Sequence, residues 1–214
     1  MPCQQIEQNL TLSPLHVAFV WILKPWFGKL SFAALTVGAI VPDIEPLVAW
    51  LFGWSVFCGW DFPCTTAPDR LVLHSILGAF TADVALTIIL VKIIQRLKPE
   101  KMGMNGFAGA RVNGCFLLSA AIGSLSHVLV DWLHHPANPV FWPFLVRGSY
   151  YVDGLLLPFL DVFPASLAVA TISGAILVLA IKKALGENGE KFSLVFSNPA
   201  RALSLVTGSL SKNG

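Results

Sequence analysis

The chain has 214 residues, of which 55% are hydrophobic and only 12% charged, with a mean hydropathy of +0.71 and a formal net charge of +2. An ordinary soluble domain carries about twice that share of charge, so the composition excludes a soluble globular fold and indicates a membrane protein. The small net charge gives no reason to expect nucleic acid as a partner; the basic residues are read instead as markers of topology.

Met1 to Ser13 has neither a basic start nor an apolar core, so no cleavable signal peptide is expected there. Pro14 to Phe27 is apolar with His16 near its start, and Pro14 is placed to begin a helix. At ~1.5 Å per residue that stretch reaches only ~20 Å, short of a ~30 Å hydrocarbon core, so with its neighbour it also reads as a re-entrant hairpin packed on protein. Lys24 and Lys29 bracket a turn, and Leu30 to Val41 is a second apolar run. It breaks at Val41-Pro42-Asp43-Ile44-Glu45-Pro46, where two prolines and two carboxylates interrupt the hydrophobic context. Leu47 to Phe57 is Trp-rich and interfacial in character, and Cys58 to Arg70 is a polar loop. Four cysteines are too few for a disulfide framework; Cys58 and Cys64 are near enough to bridge in an extracytoplasmic loop, or to stay free.

Leu71 to Ile94 is long enough to span, with His74 near its start and Asp83 in its middle. A basic loop with Lys92, Arg96, Lys98, Lys101 and Arg111 follows. Cys115 to Leu133 is the next span, and residues 138–144 form an aromatic, proline-rich surface loop. Leu155 to Ile181 is the last span, bent or begun late because of Pro158 and Pro164, and Lys182 and Lys183 close it. Pro199 to Leu210 reads as a surface helix with Arg201 on its wet face. The expected architecture is all-α: a multi-pass bundle of about five membrane segments over residues 1–185, with a polar cytoplasmic tail over 186–214.

The most informative stretch is His127-Val128-Leu129-Val130-Asp131-Trp132-Leu133-His134-His135-Pro136. In a helix, His127, Asp131 and His135 recur every four residues and share a face. Two imidazoles and a carboxylate so stacked match what a divalent ion such as zinc prefers. The plain alternative is a set of membrane-boundary histidines satisfied by backbone and water. His134 and His135 both rotate within reach of the face of His127, so spacing does not choose between them.

Charge decides the topology. With the 92–111 loop taken as cytoplasmic, twelve lysines and arginines fall on that side and only Arg70 and Arg147 on the other. Alternating segments then bring His16, Asp43, Glu45, His74, His127, Asp131 and His135 to one layer at the outer end, and every histidine of the chain lies in it. Ionisable groups are costly in a membrane, so such a layer reads as a functional site. Its ligands exceed what one tetrahedral zinc needs, and two divalent ions are accommodated. Arg70, the one outer-side cation near the layer, suits a carboxylate or phosphate, or else Asp69 and lipid headgroups.

Pro14-Leu15-His16, Gly38 through Glu45, Arg70 through Ser75, His127 through Pro136 and Trp142-Pro143-Phe144, in that order, resemble the YdjM-like inner-membrane metal-dependent hydrolases and the related DUF4184 family. Those families are in turn distantly similar to the zinc-dependent phospholipase C and P1 nuclease group. The resemblance implies metal ligands at His16, Asp43, His74, His127 and Asp131, and selects His135, with His134 standing where threonine is usual. Glu45 stands where aspartate is common, and Asp69 where many members have histidine. The expected function is a membrane-bound, zinc-type hydrolase (manganese also serving) acting on a phosphoester or lipid headgroup at the outer face of the inner membrane. In it, Glu45 accepts a proton and Arg70 holds the anionic group. The alternatives are a cation- or proton-coupled transporter centred on Asp83, and a metal-stabilised scaffold with closed coordination.

Overall fold

The computed structural model describes residues 14–23, 29–52, 70–102, 104–135 and 137–212. Cys58 and Cys64, whether bridged or free, Asp69, Pro136 and the N-terminal thirteen residues lie outside them. The described chain is all-helical. Its helices are α1 (Pro14–Leu23), α2 (Phe32–Gly38), α3 (Ile44–Leu51), α4 (Ile76–Phe80), α5 (Ala82–Arg96), α6 (Asn105–Ala108), α7 (Gly114–His134), α8 (Val162–Glu187), α9 (Leu194–Ser197) and α10 (Pro199–Lys212). The only β-pairing among the described residues is two isolated bridges, Asn138 with Val152 and Val146 with Ser149.

Among the described residues, three helical stretches are long and apolar enough to cross a membrane: Phe32–Ala49, Gly114–His134 and Pro164–Glu187. This is fewer than the five segments expected. At ~1.5 Å per residue, α1 reaches ~15 Å and α5 ~22 Å, neither of which matches a ~30 Å core alone. The expected continuous helix from Leu71 to Ile94 is broken twice. Residues 71–75 are not helical, and Thr81, at φ −127° and ψ −86°, separates α4 from α5. Ser75 caps α4 by accepting the Gly78 amide at 2.9 Å, so that helix starts after His74 rather than around it. The last span begins late, at Val162 with Pro164 in its first turn, where proline costs no helical hydrogen bond.

Helix α7 is the central strut. It starts at the Asn113 side-chain cap beside the basic loop and runs 21 residues, ~31 Å, to the histidines at its far end. Around its start lies the main hydrophobic core, which gathers Phe32, Val91, Phe107, Phe116, Ala184, Leu185, Ala202 and Val206. Helix α10 therefore contributes to the bundle: Arg201 is exposed, as the amphipathic pattern suggested, and pairs with Glu190, while Ala202, Val206 and Thr207 are buried. Helix α8 exposes Leu167, Ile172 and Leu179, an outward apolar face suited to lipid.

Helices α2 and α7 touch through small residues. A Cβ on Gly38 would lie 2.5 Å from the Ala120 carbonyl oxygen, and one on Gly123 would lie 2.4 Å from that of Leu35. Only glycine permits this approach, the device by which membrane helices pack without a hydrophobic driving force. Trp21 Nε1, donating to Thr36 Oγ1 at 3.0 Å, ties α1 to α2 beside that contact.

Candidate metal centre

Four separate stretches of chain converge on Asp131. His16 comes from α1; Asp43 comes from the short 3-10 turn Val41–Asp43 that follows α2, and Glu45 from the first turn of α3. Arg70 and His74 come from the non-helical stretch before α4, and His127 and Asp131 from the last two turns of α7. His135 lies one residue past the helix in an extended conformation, so the expected three-turn ridge has two helical members and a third from the cap. Arg70 and His74 both arrive at the site from a stretch that is not helical.

The close α2–α7 contact sets the first imidazole. It places the Ala39 carbonyl oxygen 2.8 Å from His127 Nδ1, which must be the donor, and turns Nε2 inward. His127 Nε2 then lies 3.5 Å from Asp43 Oδ1 and 3.6 Å from Asp131 Oδ2. His16 stacks on His127 with ring centres 3.9 Å apart and brings its Nε2 to 3.3 Å from Asp131 Oδ1.

Glu45 sets the second. Its Oε2 accepts the Leu71 amide at 2.8 Å and that of Leu73 at 3.1 Å, and its Oε1 accepts that of Val72 at 2.9 Å. One carboxylate thus holds three successive amides in a non-helical turn, which is why the segment does not continue as helix. The same Oε2 lies 3.3 Å from His74 Nδ1 and directs His74 Nε2 toward Asp131 Oδ2, 3.6 Å away.

The third comes from the end of α7. Its last carbonyls lack helical partners and are satisfied by the returning loop: the Leu155 amide donates to Trp132 at 2.8 Å and the Leu156 amide to Leu133 at 2.9 Å. Gly154 makes this approach possible, since a Cβ there would sit 2.9 Å from the His135 carbonyl oxygen. His135 Nε2 lies 3.8 Å from Asp131 Oδ1. Burial, and after it the positive Arg70, hold the His135 imidazole well below its ordinary pKa, so it stays neutral and fit for ligation.

The cluster is buried but has a mouth. The side chain of Asp131 is 3% exposed and that of His127 0%, against 22% for Asp43 and 20% each for Glu45 and Arg70. Arg70 Nη1 donates to Asp131 Oδ2 at 3.0 Å from this open side. Five buried atoms of the cluster have no hydrogen-bond partner among the described residues: His16 Nδ1, Asp43 Oδ2, His74 Nε2, His127 Nε2 and Asp131 Oδ1. Buried polar atoms are ordinarily satisfied, and these five are placed where they could hold a cation. Among the described residues, three trios have ligating atoms within 4.8 Å of one another: His16, His127 and Asp131; Asp43, His74 and His127; Asp131, His134 and His135.

All six expected ligands, with Glu45 and Arg70, are therefore brought together. Spacing left His134 open and the resemblance selected His135 in its place; His134 is fully buried and belongs to the third trio. Asp83 lies elsewhere: wholly buried on α5, it accepts a hydrogen bond from the Ser124 hydroxyl of α7.

Fold and site together define an all-helical membrane protein carrying a buried histidine–carboxylate cluster at one end of its central helix. The chain matches the family model of the YdjM inner membrane proteins over residues 12–207, and it belongs to that family. No curated protein and no solved structure matches it. The distant likeness to the zinc-dependent phospholipase C and P1 nuclease group has no support in these comparisons.

Proposed function

We propose that this protein is a membrane-bound, metal-dependent hydrolase of the zinc type, acting on a phosphoester such as a lipid headgroup at the outer face of the inner membrane. The observation that carries the reading is the spacing around Asp131. Ligands ~2.0–2.1 Å from a tetrahedral zinc stand roughly 3.3 Å apart, and the nitrogen–oxygen separations here run from 3.3 to 3.8 Å. His16, Asp43, His74, His127, Asp131 and His135 are the residues that hold the ion. A divalent ion bound there supplies acidified water and polarises a phosphoryl oxygen.

The chain's own groups do the rest. Arg70, one-fifth exposed beside Asp131, binds the anionic phosphoryl group as it enters from the mouth. Glu45, expected from sequence to accept a proton, is occupied by three amides and His74; this bonding favours the work of a positioning residue. The buried walls exclude water from the inner side of the cluster. The outer-face assignment follows from the charge count, since α7 starts beside the basic loop and ends at the cluster. The same count supports five chain segments alternating across or into the bilayer, α1 and α4–α5 entering as short limbs packed on protein.

The test is hydrolysis of a panel of phosphoesters and phospholipids by purified protein, with and without chelator. Turnover abolished by chelation and restored by zinc or manganese is expected; no cleavage of any ester by metal-loaded protein overturns the reading. Cation- or proton-coupled transport is the second reading. It rests on Asp83, a fully buried carboxylate whose Oδ1 has no hydrogen-bond partner among the described residues.

A further inference from the structure

The two oxygens of Asp131 face different partners. Oδ2 is 3.6 Å from the Nε2 atoms of both His74 and His127, whereas Oδ1 is 3.3 Å from His16 Nε2 and 3.8 Å from His135 Nε2. Two of the three ligating trios share no residue: Asp43, His74 and His127 form one, and Asp131, His134 and His135 the other. An imidazole nitrogen ligates one ion at a time, and His127 has only Nε2 to offer because Nδ1 is bonded to Ala39. The first trio therefore cannot lend His127 to a second ion.

The second trio has ligands of its own. His134 is fully buried, and its Nδ1 lies 3.0 Å from the Val130 carbonyl oxygen, which assigns the proton to Nδ1 and ligation to Nε2. The rings of His134 and His135 stand 4.2 Å apart, both beside Asp131. Asp131 Oδ1, 3.3 Å from His16 Nε2 and 3.8 Å from His135 Nε2, has no hydrogen-bond partner among the described residues.

We propose that Asp131 bridges two divalent-cation centres, and that His134 is a ligand of the second. In the first, Asp43, His74 and His127 are joined by Asp131 Oδ2; in the second, His134, His135 and His16 surround Asp131 Oδ1. A carboxylate can bind one ion through each oxygen; imidazole ligands suit zinc, and the carboxylates let manganese stand in as a spectroscopic substitute. The inference rests on the reading of this cluster as a metal centre, and the experiment separates the two.

Chelator-stripped protein in detergent is titrated with zinc by calorimetry, and with manganese followed by electron paramagnetic resonance. Wild type is expected to bind two equivalents and to give the exchange-coupled spectrum of a manganese pair. His134→Gln is expected to bind one, with an uncoupled signal; should it not fold, His134→Thr takes its place. One equivalent in wild type, or two retained with a coupled spectrum in the His134 variant, overturns the bridge or its ligand and leaves a one-metal hydrolase standing. No binding at all overturns the metal reading itself.

Discussion

Nδ1 of His127 lies 2.8 Å from the carbonyl oxygen of Ala39, and the contact exists because two glycines let α2 and α7 touch. The first residue after α2 thereby fixes the tautomer of a histidine 88 positions away. Helix packing and ligand orientation are one arrangement here, and they fail together.

Gly123→Ala places a methyl against the Leu35 carbonyl oxygen and forces α2 away. Overpacking of this kind costs roughly 1–3 kcal/mol, and losing the partner of a ligating histidine lowers metal affinity about 10–100-fold. Thermal unfolding in detergent and chelator competition measure the two effects. Gly174→Ala, whose Cβ meets nothing within 4 Å, is expected to change neither.

Glu45→Gln keeps the shape but removes one acceptor oxygen from a set of three amides and an imidazole. Faster amide exchange at residues 71–73 is expected, with metal affinity down about tenfold. A fall in kcat alone, with exchange and affinity unchanged, would return Glu45 to the role of proton acceptor.

Arg70→Gln separates substrate from metal. The guanidinium 3.0 Å from Asp131 Oδ2 repels a cation and attracts an anion. Charges ~4 Å apart interact by ~1 kcal/mol in bulk water and ~4 kcal/mol at an effective dielectric near 20, and each ~1.4 kcal/mol is tenfold. Metal affinity should therefore rise about tenfold, while KM for an anionic phosphoester rises too. A fall in both affinities would mean that Arg70 acts chiefly by holding Asp131 in place.

Asp83→Asn distinguishes hydrolysis from transport. The amide preserves the volume and the contact with Ser124, so turnover of a phosphoester is expected within about twofold of wild type, below the ~10-fold that 1.4 kcal/mol represents. Metal-dependent ion flux in proteoliposomes, abolished by this substitution in protein that cleaves nothing, would favour the transporter.

Cysteine labelling tests the orientation. Asn105→Cys, in the basic loop, is expected to react only after the inner membrane is made permeable. Labelling of intact cells from outside at that position would invert the topology and place the histidines on the cytoplasmic side.

Composition and charge placement alone determined that this is an all-helical membrane protein, because apolar runs bounded by lysines and arginines have few other physical solutions. The four-residue spacing of His127 and Asp131 likewise announced a shared helical face. Three matters were decided only by tertiary contacts. Leu71 to His74 is apolar enough for helix, but the Glu45 carboxylate takes its amides and holds it as a turn. His135 reaches the cluster from beyond α7 because a returning loop caps the last carbonyls there. His134 points inward, which rotation along an ideal helix left open, because its last turn packs beneath Gly154 rather than facing lipid. Periodicity reports which groups share a face; which oxygen meets which nitrogen depends on backbone hydrogen bonds between segments far apart in sequence, and no local pattern encodes those.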